Sequence, residues 1–422
     1  MTIDEKKRLV HGELQKNGGV LRFAPCWVAR NFMQPGRRLK LDPRDYYAYG
    51  GAKGGIDERW FASTTPADNA EFTIENEGLS FVVIKTPGGT EKLLFKEIID
   101  FMGQDIIGEY QMNKYGRWMM FSKFFDNMGP IAHHVHLGNE HAANVNMLGK
   151  PEGYYFPPQQ NNVYNNFPHT YFGLNPGVTK DDVIACLKTW ADRGDNNILD
   201  LSRAYRLEIG TGWDVPPGVL HAPGSILTYE PQRASDVSIF FQSQVEGRHN
   251  SRDTLVKDVP RDKYYDYEYL FSILDWDLNV DPNFKENRFI RPVPVEDEAV
   301  MAEKGYREHW VVYGSSHFCA KELTVFPGRS VTITDAQAYG LIMTQGYGTL
   351  NNAKIETPVM IRFGDLTSDE FFVTEDAAKR GVVITNNSEY DNIVMLKHFG
   401  PDNPGAARLA DTFKTTSTAD LF

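Results

Sequence analysis

Residues 210–221 carry a G-x5-P-x-G-x2-H pattern, which constrains the fold of this chain more than any other segment. Its fixed positions are Gly210, Pro216, Gly218 and His221. Proline fixes one backbone angle and glycine accepts positive φ, so Pro-Pro-Gly favours a tight turn. The pattern predicts a turn that delivers His221 on a short strand to the mouth of a small antiparallel barrel.

A second signature lies upstream, where one residue separates His134 from His136. Side chains alternate along an extended strand, so these two histidines point to one face, roughly 7 Å apart. His133 points to the opposite face and is expected to pack or to form hydrogen bonds. Either segment alone is weak evidence, but their combination predicts a divalent metal bound by histidines. Together the two segments resemble the paired motifs of the cupins.

Composition limits the class of protein. A chain of 422 residues exceeds the usual size of one core and predicts two domains or large insertions. A formal charge of -12 opposes nucleic-acid and anionic-membrane partners. The N-terminus lacks the apolar core of a signal peptide, no apolar run is long enough to span a bilayer, and the three cysteines are isolated. We therefore expect a cytoplasmic protein.

Short apolar segments separated by Gly, Pro, Asn and Asp predict a mainly β chain. The clearest predicted helix follows Thr179, whose hydroxyl can cap the first turn. A second helical pattern spans residues 267–274. In the last third, strands are predicted near residues 322–326, 339–343, 359–363, 382–385 and 392–396.

The proline-rich segment before Pro292 predicts a domain boundary. Residues 1–292 are expected to form a metal-binding cupin domain with a helical insertion around residues 160–200. Residues 293–422 are expected to form a second, degenerate cupin barrel without metal, because its histidines lack ligand spacing. The predicted fold is thus mainly β, with two jelly-roll barrels.

Between about residues 45 and 260 the chain resembles the type I phosphomannose isomerases, zinc-dependent cupin enzymes that interconvert an aldose phosphate and a ketose phosphate. Beyond residue 300 only a loose barrel-like match remains. The segments that carry the resemblance are Tyr-Gly-Gly at 49–51, Asp-Glu-Arg-Trp at 57–60, Phe-Ser-Lys-Phe-Phe-Asp at 121–126, His-Val-His at 134–136, Lys-Pro-Glu at 150–152, Tyr-Phe-Gly-Leu-Asn-Pro at 171–176, His-Ala at 221–222, Tyr-Glu at 229–230 and Ala-Ser-Asp-Val at 234–237.

The resemblance implies that His134, His136, Glu152 and His221 are the metal ligands. The family has glutamine at the position of His134, and three histidines with a carboxylate select zinc less strongly. Zinc is the first choice for one bound divalent ion, while manganese, iron, nickel and cobalt stay open. Glu140 is the alternative to Glu152, because ordinary cupins place their glutamate four residues after the second histidine.

Aldose-to-ketose isomerisation requires a proton to leave a carbon beside a carbonyl and to return to the neighbouring carbon. A divalent ion would stabilise the enediolate formed between these steps. By position in the resembling segments, the candidates for moving the proton are Glu230, Lys150, Lys123 and Asp236, of which Glu230 is preferred.

The substrate end of the site is less well defined. Tyr154 and Gln159 lie in a segment rich in aromatic and amide side chains, which suits stacking on a sugar ring and bonding to its hydroxyls. The family's arginine after Ser-Asp-Asn is missing here, and Arg233 and Arg248 are the candidate anion contacts. The small-molecule partner is therefore a sugar or a sugar phosphate.

Three functions stay open on the sequence. The first is a metal-dependent sugar or sugar-phosphate isomerase. The second is an iron-dependent cupin oxygenase, because three histidines and a glutamate also activate dioxygen. The third is a sugar-binding cupin without catalysis. The sequence does not define the oligomeric state.

Overall fold

The computed structural model describes residues 1–162, 167–191 and 194–411. Parts of two predicted ranges, residues 163–166 and 192–193 of the insertion and 412–422 of the second domain, lie outside the described residues. The prediction of a mainly β chain is confirmed. Among the described residues, no helix combines the length and the apolar character needed to cross a membrane.

The strands of the first half are β1 Val20–Ala24, β2 Cys26–Arg30, β3 Gly55–Phe61, β4 Phe81–Thr86, β5 Gly89–Leu94, β6 Met120–Phe125, β7 His134–Val135, β8 Glu152–Tyr155, β9 His169–Leu174, β10 Ser202–Arg206, β11 Gly212–Val215, β12 His221–Ala222, β13 Thr228–Arg233, β14 Ile239–Phe240, β15 Gln244–Val245, β16 Arg248–His249 and β17 Phe289–Ile290. Those of the second half are β18 Val293–Pro294, β19 Tyr306–Val312, β20 Cys319–Val325, β21 Ser330–Ile333, β22 Tyr339–Gln345, β23 Tyr347–Leu350, β24 Ala353–Glu356, β25 Glu370–Val373, β26 Val382–Asn386 and β27 Ile393–Phe399.

The α-helices are α1 Ile3–Lys16, α2 Phe95–Ile107, α3 Glu109–Tyr115, α4 Asn139–Ala143, α5 Lys180–Lys188, α6 Arg252–Leu255, α7 Tyr267–Ser272, α8 Trp276–Asn279, α9 Phe284–Arg288, α10 Glu298–Lys304 and α11 Glu375–Arg380. Single turns of 3-10 helix lie at Pro43–Asp45, Gly51–Lys53, Ala70–Phe72, Thr189–Ala191, Ile198–Leu201, Arg261–Lys263 and Leu409–Asp411.

In the first half, a seven-stranded and a five-stranded sheet pack face to face. Their strand orders are β17-β11-β8-β13-β6-β3-β2 and β10-β9-β12-β7-β14. Phe125 and Tyr154 of the larger sheet share one buried cluster with Phe172 of the smaller sheet. The space between the two sheets is the position from which a barrel interior could bind a ligand.

In the second half, a nine-stranded sheet of order β18-β19-β20-β27-β22-β25-β1-β4-β5 packs on a four-stranded sheet of order β21-β26-β23-β24. Leu341 and Met395 of the first share a buried cluster with Ile355 and Ile384 of the second. Strands β1, β4 and β5 reach this sheet from the first 94 residues, through the pairing of β1 with β25. A boundary near Pro292 stays a prediction, and the N-terminal segment joins the sheet of the second half.

The helix predicted after Thr179 is confirmed as α5. The Thr179 hydroxyl accepts the N–H of Asp182, whose carboxylate accepts the N–H of Thr179, and this reciprocal pair caps the first turn. Val183 and Leu187 bury the inner face of the helix. The second predicted pattern is confirmed as α7.

One predicted strand is wrong. Residues 359–363 form an irregular segment in which Val359 and Met360 are 95% and 57% exposed. Only Ile361 is buried, and it makes an isolated bridge to Leu41. A short apolar run is an ambiguous signal, because burial decides whether it becomes a strand.

Candidate active site

Three histidines converge on the inner face of the five-stranded sheet. His221 on β12 lies directly opposite His134 on β7, and His136 follows on the same face as His134. Their ligand atoms lie within 4.8 Å of one another, and all three side chains are buried. His133 lies on the other face, where its Nε2 is 2.8 Å from the Ser202 hydroxyl, as predicted.

The glycine of the Pro-Pro-Gly turn explains why the motif places His221 here. Gly218 has φ +82°, and a Cβ at this position would lie 2.8 Å from the backbone nitrogen of Asp275. The N–H of Gly218 also donates to the carbonyl of His136 at 2.9 Å. The turn therefore needs glycine, and it fixes the strand of His221 against the strand of His136.

Each imidazole is oriented by a backbone carbonyl. The Nδ1 atoms of His134, His136 and His221 lie 2.7, 2.8 and 2.8 Å from the carbonyls of Ala132, Val237 and Val219. Each Nδ1 therefore carries the proton, and each Nε2 is left as an acceptor that points into the site. Burial lowers the pKa of His136 to about 4 and that of His134 well below its usual value. Neutral imidazoles are the form that binds a metal.

Glu152 on β8 faces the histidines from the seven-stranded sheet. Its carboxylate oxygens lie 2.9 Å from His136 Nε2 and 3.1 Å from His221 Nε2. These contacts bring acceptor against acceptor, and neither Glu152 Oε2 nor His221 Nε2 has a hydrogen-bond donor. Burial would raise the pKa of Glu152, but His136 and Lys150 outweigh it and hold that pKa well below its usual value.

Buried acceptors without donors are unfavourable unless a cation lies between them. Three imidazole nitrogens and one carboxylate are also the donor set of many divalent metal sites. The four side chains therefore fit a metal ion. Glu140, the alternative ligand, is exposed on α4 and does not line the cleft beside this cluster.

Glu230, Lys123 and Lys150 surround the cluster on the side of the cleft. Glu230 and Lys123 are cross-strand neighbours, and the Oε1 atom of Glu230 lies 3.3 Å from Lys123 Nζ and 3.6 Å from Lys150 Nζ. These ion pairs lack hydrogen-bond geometry, so Glu230 Oε1 has no donor. Burial and the neighbouring Glu152 raise the pKa of Glu230 to about 8. Lys150 Nζ also lies 3.1 Å from Glu152 and from His136 Nε2.

Asp236 lines the same cleft but is bound by an arginine that the sequence did not single out. Arg30 Nη2 donates to both oxygens of Asp236, at 3.1 and 3.2 Å, and to Glu58 at 3.3 Å. Burial would raise the pKa of Asp236, but Arg30 and Lys257 lower it overall. Glu58 belongs to the quoted segment 57–60, whereas no spacing rule marks Arg30.

Of the four predicted substrate contacts, the structure brings one into the cleft. Tyr154 lines it, and its hydroxyl donates to Glu152. Gln159 is half-buried in the turn after β8, Arg233 donates to the carbonyl of Gly149, and Arg248 lies 3.5 Å from a neighbouring glutamate on the surface. None of these three lines the cleft, so we do not carry them into the proposed site.

The mouth of the cleft carries polar side chains that the sequence did not single out. Asp68, Glu71 and Asp253 are exposed there, and the half-buried Lys257 and Thr254 lie beside them. These side chains come from two segments far apart in the chain, residues 68–71 and 253–257, so no local pattern groups them.

No protein-family model matches the sequence, and a search of curated protein sequences finds no match. Solved structures with the same fold are found. A mannose 6-phosphate isomerase from Bacillus subtilis superposes with a TM-score of 0.59 at 15% identity, covering 90% of this chain and 99% of its own.

A mutant phosphomannose isomerase from Salmonella typhimurium gives a TM-score of 0.58 at 11% identity and covers 91% of this chain and all of its own. A zinc-bound mannose 6-phosphate isomerase gives 0.57 at 11% identity with the same coverage. At these identities the likeness defines the fold, and the resemblance noted in the sequence is confirmed at that level. This chain has the fold of the mannose-6-phosphate isomerases.

Proposed function

We propose that the protein is a metal-dependent aldose-ketose isomerase that acts on a sugar or a sugar phosphate. One observation carries the proposal. The ligand atoms of three buried histidines lie within 4.8 Å of one another and face Glu152, and neither His221 Nε2 nor Glu152 Oε2 has a hydrogen-bond donor. A second buried carboxylate, Glu230, lies beside them in the cleft. Isomerisation needs this pairing of a charge-stabilising ion with a proton-moving group.

His134, His136, His221 and Glu152 would hold the ion. Zinc is the first choice, because the donor set suits it and a neighbour of the same fold contains zinc. Manganese, iron, nickel and cobalt fit the same donors. When bound, a divalent ion supplies a Lewis acid that stabilises negative charge on substrate oxygen.

Glu230 is the group that we assign to the proton transfer. Its carboxylate takes the proton from C2 of an aldose and returns it to C1, while the proton of the C2 hydroxyl moves to the C1 oxygen, so atoms balance. Lys123 and Lys150 lie within 3.6 Å of Glu230 and hold it in place. Asp236 is bound by Arg30, so we assign it a positioning role, and Tyr154 orients Glu152.

The scaffold supports the same proposal. We propose that the two sheet pairs are two cupin barrels, that the metal site lies in the first barrel and that a boundary lies near Pro292. Three cysteines without disulfides, of which Cys26 and Cys319 are buried, suit a reducing compartment, and we propose a cytoplasmic location.

Exchange of the C2 hydrogen of aldoses with deuterated water tests the function. The wild-type protein, loaded with zinc or manganese, is expected to exchange this hydrogen and to form ketose. Glu230→Gln should lower the rate by about 10²- to 10⁴-fold without changing metal content, since it removes the proton-moving group. Glu322→Gln removes a half-buried carboxylate that lies outside the cleft and accepts the Tyr155 hydroxyl, and it is the control.

Other outcomes would point to the competing functions. Iron in the purified protein with substrate-dependent oxygen uptake would support a cupin oxygenase. Tight sugar binding with no hydrogen exchange under any metal would support a binding protein.

A further inference from the structure

We infer that the substrate of this cleft is an unphosphorylated sugar. The inference rests on the proposed function and names the substrate class of the same site. The inference depends on the ion pairs that the charged side chains of the cleft form with one another.

Every cationic side chain that lines the cleft is bound to a carboxylate of the protein. Arg30 uses one Nη on Asp236 and Glu58 and the other on the Asp68 carbonyl and the Asn69 side chain, at 3.2 and 3.0 Å. Phosphate recognition usually relies on arginine donors arranged as a fork. The guanidinium of Arg30 would have to leave these partners in order to bind one.

The three lysines that line the cleft are also paired with carboxylates. Lys123 and Lys150 contact Glu230 at the floor, and Lys257 lies 3.0 Å from Asp68 at the mouth. Among the described residues, the cleft therefore offers no unpaired cation to a phosphate.

The distribution of charge along the cleft points the same way. At the floor, four buried carboxylates face three cations, and a divalent ion would make this end positive overall. At the mouth, Asp68, Glu71 and Asp253 outnumber the single cation Lys257, and no ion pair to Glu71 or Asp253 is formed by a described residue. A sugar whose C1 and C2 lie at the floor directs its far end to the mouth. A phosphate there would face carboxylates, whereas hydroxyls would meet hydrogen-bond acceptors.

The test uses protein loaded with zinc or manganese. Calorimetry compares its affinity for aldohexoses with its affinity for the corresponding hexose 6-phosphates. We expect the best unphosphorylated sugar to bind at least about tenfold tighter than its 6-phosphate in low salt, and the difference to shrink as salt rises. Equal or tighter binding of the 6-phosphates overturns the inference, and so does the absence of binding by any hexose.

A double variant, Glu71→Gln with Asp253→Asn, locates the effect. It should improve binding of the 6-phosphate by about two- to fivefold, since it removes negative charges near the far end of the ligand. Binding of the unphosphorylated sugar should change by less than about twofold, since each amide oxygen still accepts a hydrogen bond from a hydroxyl. Glu356→Gln with Asp376→Asn makes the same change in net charge on exposed residues outside the cleft and should alter neither affinity. Equal effects of the two double variants would contradict the inference.

The two proposals fail separately. Hexose binding with the expected preference but no exchange of the C2 hydrogen would refute the isomerase and retain the substrate class. Exchange with a preference for 6-phosphates would retain the isomerase and refute the substrate class.

Discussion

Each half of the molecule buries a cluster of charged or titratable side chains within its β-sheets, but the acceptors of the two clusters are paired differently. In the first half, the Nε2 atoms of His136 and His221 meet the carboxylate of Glu152, acceptor against acceptor, and neither His221 Nε2 nor Glu152 Oε2 has a hydrogen-bond donor. In the second half, the ammonium groups of Lys321 and Lys397 lie among carboxylates. Lys321 is 2.7 Å from Asp335 and 3.4 Å from Glu308, and Lys397 is 2.7 Å from Asp335 and also contacts Glu308.

Aromatic rings complete the second cluster. Lys321 Nζ lies 4.7 Å from the centre of the Trp310 ring, and Lys397 Nζ lies 5.0 Å from that of Tyr339. Two fixed ammonium groups supply the positive charge that the carboxylates need. The first half has too few fixed cations for its acceptors and therefore requires an exchangeable one. The first cluster is therefore suited to bind a cation, and the second is suited to stabilise the fold.

The largest expected effect is the loss of metal from the first cluster. His221→Ala should reduce the metal content from about one ion per chain to none, because it removes one of the three nitrogens and leaves a site open to water. Elemental analysis of protein purified without chelator measures this, and circular dichroism checks that the chain is folded. His309→Ala, in the second half, should retain the metal. Full retention by His221→Ala would remove the basis of the comparison.

The second cluster should respond in stability and not in metal content. Lys397→Met leaves Asp335 and Glu308 with one buried cation, and we expect a loss of about 3–5 kcal/mol in the free energy of unfolding. Urea denaturation measures this loss. Lys354→Met removes an exposed partner of Glu356 and should change stability by no more than about 1 kcal/mol. A small effect of Lys397→Met would show that the second cluster is not needed for the fold.

The next test decides which carboxylate binds the metal, and its expected effect is smaller than the two above. Glu152→Gln should weaken metal binding by at least about 100-fold, since even the loss of a group that orients a ligand costs about 10- to 100-fold. Glu140→Gln alters an exposed side chain on α4 and should have no effect. Competition with a chelator of known affinity gives both values. The reverse order would assign the carboxylate to Glu140.

Local patterns in the sequence were sufficient to predict the three histidines that the structure brings together. The alternation of His134 and His136 and the turn at Gly218 are properties of neighbouring residues, so spacing predicts them directly. The same holds for α5, which is capped by Thr179. The Lys-Pro-Glu segment at 150–152 pointed to Glu152 only through a family resemblance, because β8 approaches the histidines from the other sheet.

Features that depend on distant contacts could not be predicted in this way. Arg30 lies 206 residues from Asp236, and the pairing of β1 with β25 joins segments at opposite ends of the chain. Helix α2 was missed although Phe95, Ile98 and Ile99 begin an apolar stripe, because no capping side chain marks its start. The opposite error occurred at Val359, where an apolar run suggested a strand but no sheet covers it.

The last prediction uses pH to test whether charge distinguishes the second cluster from the first. Burial would raise the pKa of Asp335, but Lys397 and Lys321 outweigh it and lower that pKa in the folded chain. An acid whose pKa is lowered by folding adds stability above its unfolded pKa, near 4, and loses that contribution as pH falls through the folded value. Asp335→Asn should therefore be destabilising at pH 7.

The difference in unfolding free energy between wild type and Asp335→Asn should begin to shrink near pH 4, where Asp335 of the unfolded wild-type chain takes up a proton, and should be lost as the pH falls through the lower folded pKa. Urea denaturation of both proteins at pH 7, 4 and 3 measures this difference. A difference that stays constant down to pH 3 would mean that Asp335 contributes by shape and hydrogen bonding and not by charge. In that case the two clusters would differ in packing alone, and the charge-based comparison between the two halves would not hold.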